Sequence, residues 1–370
     1  MGGAWTPSEG GATVGIVITD AFTPTDPGVL EDLRERLRRF RPVSAVSDHA
    51  AWLTPLLSTW ADAYRWEEHE RRIASWPWVQ SETAVPVRAV VSRAAADRPV
   101  VLLLHGWPDS VLRFERILDQ LGDVTVVVPA LPGYPFAAPT EQGGFSAVEL
   151  ADAVAAAMVD FGCPEYVISA GDVGCDVAEA IAGRHPEAVR ALHLTDVSQY
   201  HFLVGLPDDL DDEERSYVER GRRWQQAEGG YMHEQSTRPD TLSVGLGDSP
   251  AGLLAWIGEK LRDWTDSRDG PAFTDDELLT WVTAYWVSGS IGTSFAPYAA
   301  ASPKDWPPIT APTVFTIFPE DLVNAPRRFA ERYFAVADWR EFDRGGHFAA
   351  WERPDEYLWG VRRAVELASA

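Results

Sequence analysis

The chain has 370 residues, 45% of them hydrophobic, enough to bury a large core, and one to three domains are expected at that length. A formal charge of −24 argues against nucleic acid and anionic membrane surfaces as partners, since both need clustered cations. Only Lys260 and Lys304 are lysines, and the two cysteines, Cys163 and Cys175, make neither a disulfide framework nor a metal cluster.

The Gly-rich start, Met1–Thr13, has no basic head and no apolar run of signal-peptide length, and is predicted to lack packed structure. Apolar stretches such as Val100–Leu104 and Val124–Pro129 fall far short of the ~20 residues of a membrane span. A cytoplasmic chain without a membrane span is expected. Asp26-Pro27-Gly28 leads into a helix over Val29–Arg39, with leucines 30, 33 and 37 at helical spacing. A second helix is predicted over roughly Ala50–Ser75, so that residues 1–84 form an N-terminal helical extension wrapping the core.

From about residue 85 short apolar runs alternate with amphipathic segments. Val100–Leu104, Val124–Val128, Tyr166–Ser169, Ala191–Leu194 and Thr313–Ile317 read as buried strands. Helices are predicted over Leu112–Leu121, Ala147–Phe161 and Asp176–His185. This alternation predicts an α/β core with a mostly parallel sheet covered on both faces, over residues 85–198 and 305–370. It stops near Ser198 and resumes near Pro312. The helical, aromatic stretch over residues 199–304 is too long for a loop and is read as an inserted subdomain. Its place after the strand Ala191–Leu194 makes it the roof of a site at the carboxyl ends of the strands.

Three motifs carry chemistry. Tyr166-Val-Ile-Ser-Ala-Gly-Asp172-Val-Gly174-Cys-Asp176 reads as strand, tight turn and helix, with small residues at Ala170 and Gly174 where such a turn leaves no room. It resembles the nucleophile elbow of α/β-hydrolases, with Asp172 where serine hydrolases carry serine. Taken alone, the pattern also fits an aspartate that only caps the following helix. Leu104-His105-Gly106-Trp107-Pro108 follows a strand, where this fold places one oxyanion-hole donor. The donors would be the backbone N–H groups of Trp107 and Val173. His105 is read as orienting that loop, and with Trp107 and Pro108 as lining the substrate side. Asp343-Arg-Gly-Gly-His347-Phe-Ala-Ala-Trp351-Glu-Arg-Pro354 fits a base on a loop before a helix, and Phe318-Pro319-Glu320-Asp321 supplies an acid after the preceding strand.

In order and spacing, these motifs resemble the microsomal-type epoxide hydrolase family, from about residue 20 to the C-terminus. The resemblance implies an α/β-hydrolase fold with a helical cap inserted after the sixth strand. It also implies Asp321, the fourth residue of the FPxE/D motif, as the acid partner of His347. Gly230-Tyr231-Met-His-Glu-Gln235 and the stretch Tyr285–Tyr298 resemble segments bearing two cap tyrosines, which assigns Tyr231 and Tyr298 to the epoxide oxygen. The implied partner is a small-molecule epoxide, with no metal or organic cofactor, and family habit implies a homodimer. Val173, Asp109, Pro135 and Thr195 depart from residues usual in the family, and Arg88–Ser92 lacks its aromatic and histidine content. The reaction so implied is opening of an epoxide by Asp172 to an alkyl ester, hydrolysed with help from His347 and Asp321 to a vicinal diol. The 16 tryptophans and the apolar cap suggest a bulky, aromatic or natural-product substrate, or simply packing. Two rivals stay open: a natural-product tailoring enzyme in which an internal nucleophile opens the epoxide without net hydrolysis, and a non-catalytic binding homologue. A haloalkane dehalogenase fits less well, because Val173 supplies no indole for halide.

Overall fold

A computed structural model describes residues 24–44, 51–95, 97–301 and 303–369; the Gly-rich start lies outside them. Eight strands form one sheet: Trp78–Gln80 (β1), Arg88–Ser92 (β2), Val100–Leu104 (β3), Thr125–Ala130 (β4), Tyr166–Ala170 (β5), Val189–Leu194 (β6), Ile309–Ile317 (β7) and Phe334–Glu341 (β8). Their order is β1-β2-β4-β3-β5-β6-β7-β8. β1, β2 and β4 pair antiparallel, and every pairing from β4 through β3 to β8 is parallel. Successive residues Leu102, Leu103 and Leu104 are all fully buried, so both faces of the sheet are covered at β3. That double burial is why the inner strands read as unbroken apolar runs.

The N-terminal region holds Pro27–Arg38 (α1), Leu53–Asp62 (α2) and Trp66–Ala74 (α3). The single helix expected over Ala50–Ser75 is therefore two, broken where Arg65 turns extended (φ −130°, ψ 90°). The expected helix over Leu112–Leu121 is likewise two single 3-10 turns, Val111–Phe114 and Leu118–Gln120. Core helices follow as Ala147–Asp160 (α4), capped by Ser146 and Glu149, and Val173–Arg184 (α5).

Between β6 and β7 lie seven helices of the described chain: Tyr200–Leu203 (α6), Asp212–Ala227 (α7), Gly230–Thr237 (α8), Pro239–Asp248 (α9), Pro250–Asp263 (α10), Asp275–Ser288 (α11) and Ala296–Ala299 (α12). The N-terminal helices dock on them through buried polar bonds. Trp60 Nε1 donates to Thr283 Oγ1 (2.9 Å), and the Tyr64 hydroxyl meets Thr280 Oγ1 (3.1 Å), both on α11. Arg327–Ala330 (α13), Ala349–Glu352 (α14) and Pro354–Ala368 (α15) complete the chain. No helix among the described residues is long and apolar enough to cross a membrane.

α5 starts almost in contact with the end of β3. A Cβ at Gly174 would lie 2.5 Å from the Leu104 carbonyl oxygen and 2.8 Å from that of His105. Gly174→Ala is therefore expected to push the first turn of α5 away and destabilise the chain by about 1–3 kcal/mol. A urea-unfolding comparison checks this; an unchanged midpoint would mean the turn has slack.

Candidate active site

The register Leu104↔Ala170↔Leu194 across β3, β5 and β6 brings the loops after these strands to one edge of the sheet. Asp172 stands there between β5 and α5 with φ 57° and ψ −135°. A side-chain-bearing residue in this left-handed region costs on the order of 1–3 kcal/mol, which surrounding packing must hold. Its side chain makes no capping bond to α5, so the helix-cap alternative is not realised. Instead Oδ1 accepts the Trp107 backbone N–H at 2.7 Å. Val173 is the first residue of α5, beside it. Gly106 has to be glycine for this approach, because a Cβ would sit 2.3 Å from Asp172 Oδ1.

Asp321 follows β7, and its Oδ1 lies 2.7 Å from His347 Nδ1. On the other side of the ring, Nε2 is 3.4 Å from Asp172 Oδ2, a charge contact too long for a tight hydrogen bond. A parallel bridge between Glu320 and Gly346 locks the acid and base loops together. Burial opposes charge on the imidazole, but Asp321 and Asp172 outweigh it and raise its pKa to about 10. Burial pushes Asp321 up, yet His347 pulls it below the ordinary carboxylate range. A neighbouring carboxyl, Asp196, is driven up to about 7 by burial and then by Asp321.

Side chains outside the expected set hold this geometry. Asp109 Oδ1 accepts the Gly106 amide at 2.6 Å, and its other oxygen pairs with Arg113. Arg113 Nη2 then donates to the His347 carbonyl at 2.7 Å. Burial alone would protonate Asp109; Arg113 outweighs it and lowers the pKa to about 2. From the opposite side the His347 amide donates to Trp264 O (2.8 Å), at the end of α10. Glu352 accepts the amides flanking the base, Gly346 (3.1 Å) and Phe348 (2.9 Å), and also that of Asp266 (2.8 Å). The acid–base spacing Asp109/Arg113 and the glutamate five residues past His347 were the sequence signals for these supports.

Tyr231 on α8 and Tyr298 on α12 line a cavity of about 390 Å³ together with Asp172, Val173 and Asp321. Trp107 stacks on Tyr231 (ring centroids 5.3 Å, planes 8° apart) and meets Tyr298 edge-on at 6.0 Å. Both phenols are raised well above 10, by burial first and Asp172 next. His105 is fully buried and is not among the cavity-lining residues. Its Nε2 accepts the Leu131 amide at 3.1 Å, a loop-holding role. Pro108 and the Trp107 ring, also expected on the substrate side, are likewise buried outside the lining. The structure thus gathers Asp172, His347, Asp321, Tyr231, Tyr298 and the Trp107 amide.

Asp109→Asn would leave the wholly buried Arg113 without its counter-charge. Breaking such a pair costs about 3–5 kcal/mol, so a loss of that size is expected in chemical unfolding, against less than ~1 kcal/mol if the pair were dispensable.

The sequence family described as Epoxide hydrolase N terminus matches residues 22–114, and that described as alpha/beta hydrolase fold matches residues 99–228. A Stigmatella aurantiaca protein, assigned by name to the epoxide hydrolases, is 31% identical over 92% of this chain and 83% of its own length. Epoxide hydrolase 1 of Sus scrofa is 27% identical over 91% of this chain and 86% of that protein. The solved Aspergillus niger epoxide hydrolase superposes with a TM-score of 0.84 at 29% identity, covering 94% of this chain and 96% of that one. The fold is thus shared over nearly its whole length, and the chain belongs to the microsomal-type epoxide hydrolase family of α/β-hydrolases.

Proposed function

We propose that this enzyme hydrolyses an epoxide to a vicinal diol through an alkyl ester on Asp172. The observation that carries the reading is one carboxylate held on two sides: Oδ1 by the Trp107 N–H, and Oδ2 facing His347 in a cavity lined by two tyrosines. Oδ1, already in the donor's grip, becomes the ester carbonyl oxygen, which leaves Oδ2 to attack a ring carbon. The ring C–O bond breaks as a hydroxyl of Tyr231 or Tyr298 gives its proton to the departing oxygen. Phenols held protonated well above neutrality suit that task.

Ester formation then changes His347. The neutral ester no longer offers the ring an anion, so the imidazolium loses part of what raised its pKa, gives its proton to the tyrosinate left by ring opening, and can then take one from water. That water attacks the ester carbonyl; the oxyanion develops at the Trp107 N–H, where one such donor contributes ~3–4 kcal/mol. Collapse expels the alkoxide, which takes the proton of the new carboxyl group; this frees the diol and returns Asp172 as a carboxylate carrying the water's oxygen beside a protonated His347. In this reading residues 199–304 are the lid bearing the tyrosines, residues 85–198 and 305–370 the core bearing the acid and bases, and residues 1–84 the extension wrapping it. A cavity of about 390 Å³ with Tyr200, Tyr231, Tyr298 and Trp306 in its lining supports a bulky epoxide.

A single turnover of styrene oxide in heavy-oxygen water tests the pathway. The label is expected in the peptide containing Asp172, with unlabelled diol, and Asp172→Asn should lower diol formation at least about a thousandfold. Label in the diol and none in the protein would mean direct attack by water; conversion without diol would mean an internal nucleophile.

A further inference from the structure

The cavity does not end at the tyrosines. On its far side α5 presents two more carboxylates, Asp176 and Glu179, to a lysine brought in from the opposite direction. Lys304 lies on the segment that returns from α12 to β7, and its side chain is only 8% exposed. Its Nζ sits 2.7 Å from Asp176 Oδ1 and 2.5 Å from Glu179 Oε2. Ser198 donates to the same Asp176 oxygen (2.5 Å), while His201 Nε2 lies 3.1 Å from both Glu179 oxygens and Trp306 Nε1 3.3 Å from one. Burial would discharge Lys304, but Asp176 and Glu179 outweigh it and hold the ammonium charged. Burial likewise opposes the Glu179 charge, and Lys304 then lowers its pKa to about 2.

The mechanism above uses none of this network, yet Asp176, Ser198 and Lys304 line the same cavity as Asp172. Hydrogen-bonding capacity is left over on both partners. Asp176 Oδ2 takes no hydrogen bond among the described residues, and two of the three ammonium N–H groups are accounted for. An acceptor and a donor side by side match a hydroxyl or an amide, each of which gives one bond and takes one. A carboxylate fits badly, because the anions Asp172, Asp176 and Asp321 line this cavity against the cations His347 and Lys304. Asp196 Oδ1 is itself buried without a hydrogen-bond partner, an unmet acceptor that further disfavours an anion. Distance sets where the group must lie. Four residues of helix separate Asp176 from Asp172, a rise of about 6 Å, the span of roughly five carbon–carbon bonds.

We propose that Asp176 and Lys304 form a polar subsite selecting uncharged epoxides that carry a hydroxyl or amide some five bonds from the ring. This rests on the epoxide-opening reading and extends it to substrate class. Apolar side chains, among them Val148, Val173, Ala180 and Leu203, also line this cavity, as a hydrocarbon linker between two polar ends requires.

The test uses the full chain and three straight-chain terminal epoxides of equal length, ending in methyl, hydroxyl or carboxylate, with styrene oxide as reference. KM for the hydroxyl compound is expected to be about tenfold below that for the methyl compound, the size of one hydrogen bond to a charged group, and KM for the carboxylate at least tenfold above it. The methyl-to-hydroxyl KM ratio should fall to about one in Lys304→Met. Because that variant leaves two carboxylates unpaired and can fail to fold, Asp176→Asn serves as the second: it should lose part of the hydroxyl preference and admit the carboxylate more readily. Equal KM values for methyl and hydroxyl in the unmodified enzyme would overturn the subsite while leaving epoxide hydrolysis intact. If none of the four compounds gives diol, the hydrolytic reading falls instead. Quenching of tryptophan fluorescence by the same compounds then reads the hydroxyl preference directly, and equal binding would overturn it.

Discussion

One buried imidazole between two carboxylates is the constraint on which the rest of the site depends. His347 has Asp321 at 2.7 Å on one ring nitrogen and Asp172 at 3.4 Å on the other. Charge is expensive to bury, and here a cation and two anions compensate one another with little exposure to solvent. The arrangement is stable only while both carboxylates are charged. In the proposed reaction, turning Asp172 into a neutral ester removes one of the two anions that hold the imidazole charged.

Much of the fold serves to bring these three groups to one edge of the sheet and keep them there. Parallel strands β3, β5 and β6 end together, so the loop bearing Trp107 and the turn bearing Asp172 face each other. The loop bearing His347 is gripped from two directions. Arg113 holds its carbonyl from the core side, while Trp264 and Glu352 hold its backbone amides beside the helical insertion. The helices of that insertion therefore both carry the two tyrosines and brace the base. Trp60 and Tyr64 of the N-terminal region fasten α11 in turn, which gives that extension a mechanical part in the site without a chemical one.

The site was more legible in the sequence than its supports. A strand–turn–helix with small residues around Asp172, and an acid and a histidine in order behind it, follow from local geometry and could be read residue by residue. The inner strands were visible because burial on both faces makes them continuously apolar. β1, β2 and β8 were not: in β8 only Phe334 is buried, and Asp338, Arg340 and Glu341 stand among its half-buried and exposed positions, as on an edge strand, so it resembles a loop in composition. The break between α2 and α3 was hidden because it coincides with a tertiary contact, the docking of Trp60 and Tyr64 on a helix more than two hundred residues away. Asp109 looked like a mere departure from the family pattern; its meaning lies in Arg113, one helical turn on, and in the carbonyl that Arg113 reaches. His105 shows the converse: a histidine next to the site has its ring nitrogens occupied by the backbone of Gly106 in its own loop and of Leu131 after β4.

The claim that Asp172 sets the charge of His347 is tested most directly by following the His347 ring by NMR as pH is raised, in the unmodified enzyme and in Asp172→Asn. With both carboxylates in place the imidazole should stay protonated through neutrality and titrate near pH 10. Removing the Asp172 charge takes away a partner of the cation, so the midpoint should fall, by at least about one unit for an opposite charge at this distance. A ring that titrates near its ordinary value in both proteins, or at the same pH in both, would contradict the coupling.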